Sequence, residues 1–106
     1  MKTVIAVDFD GTLCQSAYPE IGRANTRMID FIKEQQKNGC QIILWTCREE
    51  SLLEEALVWC ELYGLTFDAV NENLPERIAL FGTDPRKIGA DMYIDDKAYP
   101  AWGQYE

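Results

Sequence analysis

Four aspartates are the side chains best spaced to do chemistry together. Asp8 and Asp10 close the apolar run in VIAVDFDGTL, and Asp95 and Asp96 close the later run in DMYIDD. Like charges at the edge of an apolar core repel each other and resist desolvation, so such a group calls for a compensating cation. The chain contains no histidine. That removes a histidine base and any Ser–His or Cys–His pair. The four cysteines, Cys14, Cys40, Cys47 and Cys60, show no C-x-x-C spacing, which argues against zinc. They are expected to be reduced, with Cys40 and Cys60 in the core. Chemistry is left to carboxylates, lysine, arginine and hydroxyls. Hard oxygen donors without nitrogen or sulfur partners suit Mg²⁺, which takes one or two carboxylates and fills its shell with water and substrate phosphate.

The elements that would position these acids follow from the apolar pattern. Thr3 to Asp8 is short, β-branched and continuously apolar, as in a central parallel strand covered on both faces. A helix is expected from about Gly22 to Asn38, with Ala24, Met28, Ile29 and Ile32 at helical spacing and Gly39 as its stop. Gln41 to Thr46 reads as a second buried strand. A second helix is expected from about Glu49 to Tyr63, with Leu52, Leu53, Ala56, Leu57, Cys60 and Tyr63 on one face. Glu49 and Glu50 lie in its first turn, where the helix dipole favours negative charge. Thr66 to Val70 reads as a third strand, Asn71 to Arg86 as a long loop with a helical turn near Glu76 to Phe81, and Asp91 to Asp95 as a fourth strand. The aromatic tail KAYPAWGQYE is expected to pack back on the body.

Alternating strands and helices imply one parallel sheet with right-handed crossovers. The expected fold class is α/β, a single Rossmann-like three-layer domain with strand order 4-1-2-3. Ligands of such sheets sit beyond the carboxyl ends of the strands, where the winding reverses. With that order the reversal lies between strands one and four, both of which end in aspartates. Asp-Gly is also a hairpin signal, but LCQSAYPEIG after it does not alternate as a returning strand would.

These residues resemble the haloacid dehalogenase superfamily of phosphohydrolases. DFDGTL is similar to the family's first motif, D-x-D-G-T, and candidates for the other three follow in order: Thr46 in ILWT, Lys87 in DPRKIGADMYIDD, and Asp95 with Asp96. The resemblance spans the chain and implies a mechanism. Asp8 would attack phosphorus, Asp10 would act as general acid and then base, Thr46 would bind a phosphoryl oxygen, and Lys87 would neutralise charge, a part that Arg86 could also fill. Mg²⁺ would be held by Asp8, the backbone carbonyl of Asp10, and Asp96 with Asp95 in support. Thr46 and Glu49 also fit a capping box, and Lys87 could simply be an exposed lysine. Arg48 could reach a second anionic group of the substrate or pair with a surface glutamate.

Many members of that superfamily insert a cap domain after the first motif or the third strand. Here Cys14 to Gly22 is too short for one, and Asn71 to Arg86 allows at most a one-turn lid. A capless site admits a large phosphorylated partner or can be closed by a second copy of the chain.

The 106 residues, 47% hydrophobic and 26% charged, suit one globular domain. The net charge of −8 argues against broad binding to nucleic acid or anionic membrane, while allowing a small basic pocket. Asp8 ends the first apolar run too early for a signal peptide, and no run reaches the length of a membrane span. A cytoplasmic protein is expected. The leading reading is a Mg²⁺-dependent phosphomonoesterase. Its alternatives are a phosphatase of polynucleotide ends with the same chemistry, and a phosphate- and metal-binding regulator without turnover.

Overall fold

The computed structural model describes residues 2–97. The aromatic tail beyond Lys97 lies outside the described residues. β1 (Val4–Val7), α1 (Thr26–Lys37), β2 (Gln41–Leu44), α2 (Glu50–Leu62), β3 (Ala69–Val70), α3 (Pro75–Phe81) and β4 (Met92–Ile94) follow in that order. The strands form one parallel sheet, β3-β2-β1-β4, which is the expected order read from its other edge. No helix among the described residues is long and apolar enough to cross a membrane.

Both faces of β1 are covered, which explains its unbroken apolar run. Ile5 and Val7 join Ile42 and Leu44 of β2, Ile29 and Ile32 of α1, and Ala56 and Cys60 of α2 in one buried cluster. Val4, Ala6 and Ile43 point the other way and meet Ala69, Leu74 and Ile88. Each fully buried aliphatic side chain contributes about 1.5–3 kcal/mol. The second layer is thin, because α3 itself buries no residue and Leu74 and Ile88 on either side of it do the covering.

The bounds of α1, β3, β4 and α3 differ from the periodicity, each for a visible reason. α1 begins at Thr26 with Asn25 as its cap, the Asn25 side chain accepting from the Met28 N–H at 3.3 Å. The preceding residues pair with the turn after β1 instead: the Gln15 N–H donates to Arg23 O and the Asn25 N–H to Leu13 O, both at 2.8 Å. β3 and β4 are shorter than expected because each edge strand is entered by an aspartate bonded to the strand beside it. The Asp68 carboxylate accepts from the Ile42 N–H at 2.7 Å and the Asp91 carboxylate from the Val4 N–H at 2.8 Å. α3 is a complete short helix, opened by Pro75 in its first turn and closed by Gly82 at φ 73°.

The cysteines are all free. Cys60 is buried as expected, and burial pushes its thiol up to about 12, which makes it inert. Cys40 is only half-buried, and Cys14 holds the enclosed position instead, packed with Phe9 and Leu13.

Candidate functional site

Val7 of β1 lies opposite Ile94 of β4, so the residues that follow these two strands emerge side by side. DFDGTL forms a tight turn and not a hairpin. The Thr12 and Leu13 N–H groups both donate to Phe9 O, at 3.1 and 2.9 Å. Phe9 is fully buried and meets Trp59 edge-on with ring centroids 5.4 Å apart. That anchor fixes the turn and leaves Asp8 and Asp10 on either side of it facing the strand ends. Gly11 is required twice over. Its φ of +83° is the left-handed region, and a Cβ there would lie on the Asp96 carboxylate, 2.8 Å from Cγ.

Asp8, Asp95 and Asp96 each offer a carboxylate oxygen within 4.8 Å of the others. Burial, with the charges of Asp95 and Asp96 added, pushes the Asp8 carboxyl up to about 6. Asp95 also accepts the Lys97 N–H at 2.9 Å, which holds the turn after β4. The set fits a small hard cation: it consists of carboxylates alone and its members destabilise one another without a positive charge between them.

The expectation that all four aspartates converge needs correcting at Asp10. It borders the same cavity of about 470 Å³, but its carboxylate is turned to Arg48, whose Nη2 and Nε reach Oδ1 at 2.8 Å and Oδ2 at 2.9 Å. Arg48 is itself fully buried, and the Asp10 carboxylate holds its guanidinium still more firmly protonated. It therefore neither pairs with a surface glutamate nor reaches the cavity as a substrate ligand. A buried arginine is tolerated because both charges are paired and hydrogen-bonded.

Thr46 lines the acidic cavity. Its N–H donates to the Asn71 side chain at 2.7 Å and its hydroxyl accepts the Arg48 N–H at 3.2 Å. It is not a helix cap, since α2 starts at Glu50 with Glu49 in the cap position. Asn71, at φ 55°, is a supporting residue that sequence reasoning passed over. Its signal was the left-handed tolerance of asparagine just after a strand.

Lys87 lines a separate cavity of about 300 Å³ with Asn73, Arg77 and Thr83. Arg86 is exposed and paired with Asp84 at 2.9 Å. The cause is the loop before β4, which is pinned to the other side of the sheet. Asn73, almost fully buried, donates to Asp84 at 2.7 Å and Pro85 O at 3.0 Å, and accepts from the Gly89 N–H at 2.6 Å. The lysine that does border the acidic cavity is Lys97, together with Ser16, Tyr18 and Cys47. A wider groove of about 720 Å³ along α2 is lined by Val58, Trp59 and Leu62 among others and shares no residue with the acidic cavity. It is largely apolar, and although Glu20, Glu54 and Glu55 also border it, the group of converging ligands found among the described residues lies in the acidic cavity, which is the candidate site.

Fold and site together define an α/β domain with a carboxylate-lined cavity at the carboxyl ends of adjacent parallel strands. The chain is similar to a conserved protein of Bacteroides thetaiotaomicron whose structure has been solved, with 40% identity, a TM-score of 0.82, and coverage of 96% of this chain and 84% of that one. It belongs to the same family as that protein. No protein-family model matches the chain, and no curated protein matches it.

Proposed function

We propose that the protein is a Mg²⁺-dependent phosphomonoester hydrolase of the haloacid dehalogenase type, with Asp8 as nucleophile. The observation that carries this reading is the convergence of Asp8, Asp95 and Asp96 within 4.8 Å in a cavity also bordered by Asp10, Thr46 and Lys97. Mg²⁺ would be held by Asp8, Asp95 and Asp96 with the Asp10 backbone carbonyl, and when bound it neutralises the carboxylates and the incoming phosphate.

The side chains then divide the work. An Asp8 oxygen attacks phosphorus; the phosphorus–oxygen bond to the leaving group breaks, and Asp10, entering the step with a proton on a lone pair that Arg48 leaves free, delivers it to that oxygen. Water attacks the aspartyl phosphate, Asp10 takes a proton from it, and inorganic phosphate leaves as the Asp8 carboxylate is restored. The Thr46 hydroxyl hydrogen-bonds a phosphoryl oxygen. Lys97 supplies the neutralising charge in place of Lys87, because Lys97 borders the cavity and Lys87 does not.

The test is phosphate release from sugar phosphates, nucleotides, phosphopeptides and end-phosphorylated oligonucleotides, with Mg²⁺ and with chelator, beside Asp8→Asn. Release that needs both Mg²⁺ and Asp8 supports the reading, and the preferred substrate narrows the class. Folded, Mg²⁺-binding protein that is silent on the whole panel overturns it in favour of a metal-binding regulator.

A further inference from the structure

We propose that Arg48 is a positioning residue for Asp10, clamping its carboxylate at the cavity wall through a buried fork, an inference that rests on the phosphohydrolase reading above. The guanidinium has five N–H donors, and all five have partners. Nε and one Nη2 hydrogen go to the two Asp10 oxygens. The others go to backbone carbonyls: Glu20 at 2.9 Å, Pro19 at 3.1 Å and, more weakly, Leu52 at 3.5 Å. The charged plane lies 5.1 Å from the Phe9 ring centroid and 5.2 Å from that of Tyr18. No donor is left for a substrate.

These bonds tie together three segments that are distant in sequence: the turn after β1, the loop carrying Tyr18 to Glu20, and the first turn of α2. A buried ion pair is a poor device for stability alone, because apolar residues of similar volume serve as well or better. What it supplies is geometry. Bidentate pairing fixes both the place and the rotation of the Asp10 carboxylate, which stays 21% exposed toward the cavity while Arg48 is wholly enclosed. Each carboxylate oxygen gives Arg48 one lone pair and keeps another for the reacting groups. A lysine carries the charge but cannot reproduce the fork.

The experiment compares wild type with Arg48→Lys on two probes, p-nitrophenyl phosphate and glycerol 2-phosphate, below the melting temperature of both proteins. Nitrophenolate departs without a proton, whereas an alkoxide needs one from Asp10. Positioning predicts that kcat/KM, which runs only to the loss of the leaving group and excludes hydrolysis of the aspartyl phosphate, falls roughly tenfold or more further on glycerol 2-phosphate than on p-nitrophenyl phosphate. Equal losses on both probes, or no loss, overturn it. A KM raised equally on both probes with unchanged kcat also overturns it and makes Arg48 a substrate ligand. A second measurement needs no turnover: melting of Arg48→Lys, Asp10→Asn and the double variant. A true clamp leaves the double variant melting no lower than the worse single variant, whereas additive losses overturn the pairing. If wild type releases phosphate from neither probe nor any panel substrate, the phosphohydrolase reading falls and takes the catalytic role of the clamp with it. The melting comparison then still decides whether Arg48 holds Asp10.

Discussion

Replacing Asp8 with asparagine should make the metal-free protein more stable while abolishing its response to Mg²⁺. Asp8 is half-buried beside Asp95 and Asp96, and its carboxyl is pushed up to about 6 from an ordinary value of 3.8. Two or so pK units correspond to ~3 kcal/mol of disfavoured charge. Burial is the largest cause and the charges of Asp95 and Asp96 add to it; partial exposure discounts the total to roughly 1–2 kcal/mol. Because the folded-state value is raised, this contribution is fully favourable below about pH 3.8 and is lost as pH rises through about 6. Asparagine keeps the shape and removes the charge.

In EDTA at pH 8, Asp8→Asn should therefore melt above wild type, by about 4–8 °C for each kcal/mol in a domain of this size. The gap should shrink as pH is lowered from 6 and close near 3.8. Added Mg²⁺ should raise the wild-type midpoint in proportion to the logarithm of its concentration once binding saturates, and leave Asp8→Asn almost unmoved. An Asp8→Asn variant that melts at or below wild type in EDTA at pH 8 would show that the Asp8 charge is not disfavoured in the fold and would remove the energetic case for a cation beside it.

Other perturbations separate the parts of the site. Gly11→Ala forces a Cβ against the Asp96 carboxylate at a left-handed position; it should cost about 1–2 kcal/mol in denaturant melts and weaken Mg²⁺ binding in calorimetry. Lys97→Ala should lower kcat/KM for phosphate release roughly tenfold or more through the lost electrostatic contact, whereas Lys87→Ala should leave it within about twofold; the reverse order would restore Lys87 to the site. Asn73→Ala strips the buried ties to Asp84, Pro85 and Gly89 and should destabilise the domain by about 2–3 kcal/mol in urea.

The sheet was legible because β1 and β2 are apolar on both faces and the helices between them keep their period, which fixes the order of the central strands. Asp8 and Asp10 were legible for the same reason, since they directly follow the buried β1; Asp95 and Asp96 follow an exposed edge strand and were legible only together with that first pair. What sequence could not supply was the path of long connections. Lys87 and Lys97 lie on either side of β4, and only the pinning of the preceding loop by Asn73 decides which one borders the cavity. Sequence left Arg48 between a substrate ligand and the partner of a surface glutamate, because it follows Thr46 and precedes Glu49 and Glu50. Its burial comes from the Tyr18 to Glu20 segment folding over it, a contact some 30 residues away in the chain. The short edge strands were hidden by Asp68 and Asp91, whose carboxylates take ladder positions that periodicity assigns to backbone.

The site's acids fall into two populations, and that division is the physical argument for function. Asp10 has its countercharge built in, from an arginine that the fold encloses completely. Among the described residues Asp8, Asp95 and Asp96 have none at comparable range, and Gly11 surrenders its side chain so that Asp96 can come close. A fold selected for stability alone would treat all four alike, pairing them or dispersing them. Concentrating three charges while neutralising the fourth makes sense where an external cation completes the trio, and where the remaining carboxylate has to stay in place beside it without being drawn into that cation's shell.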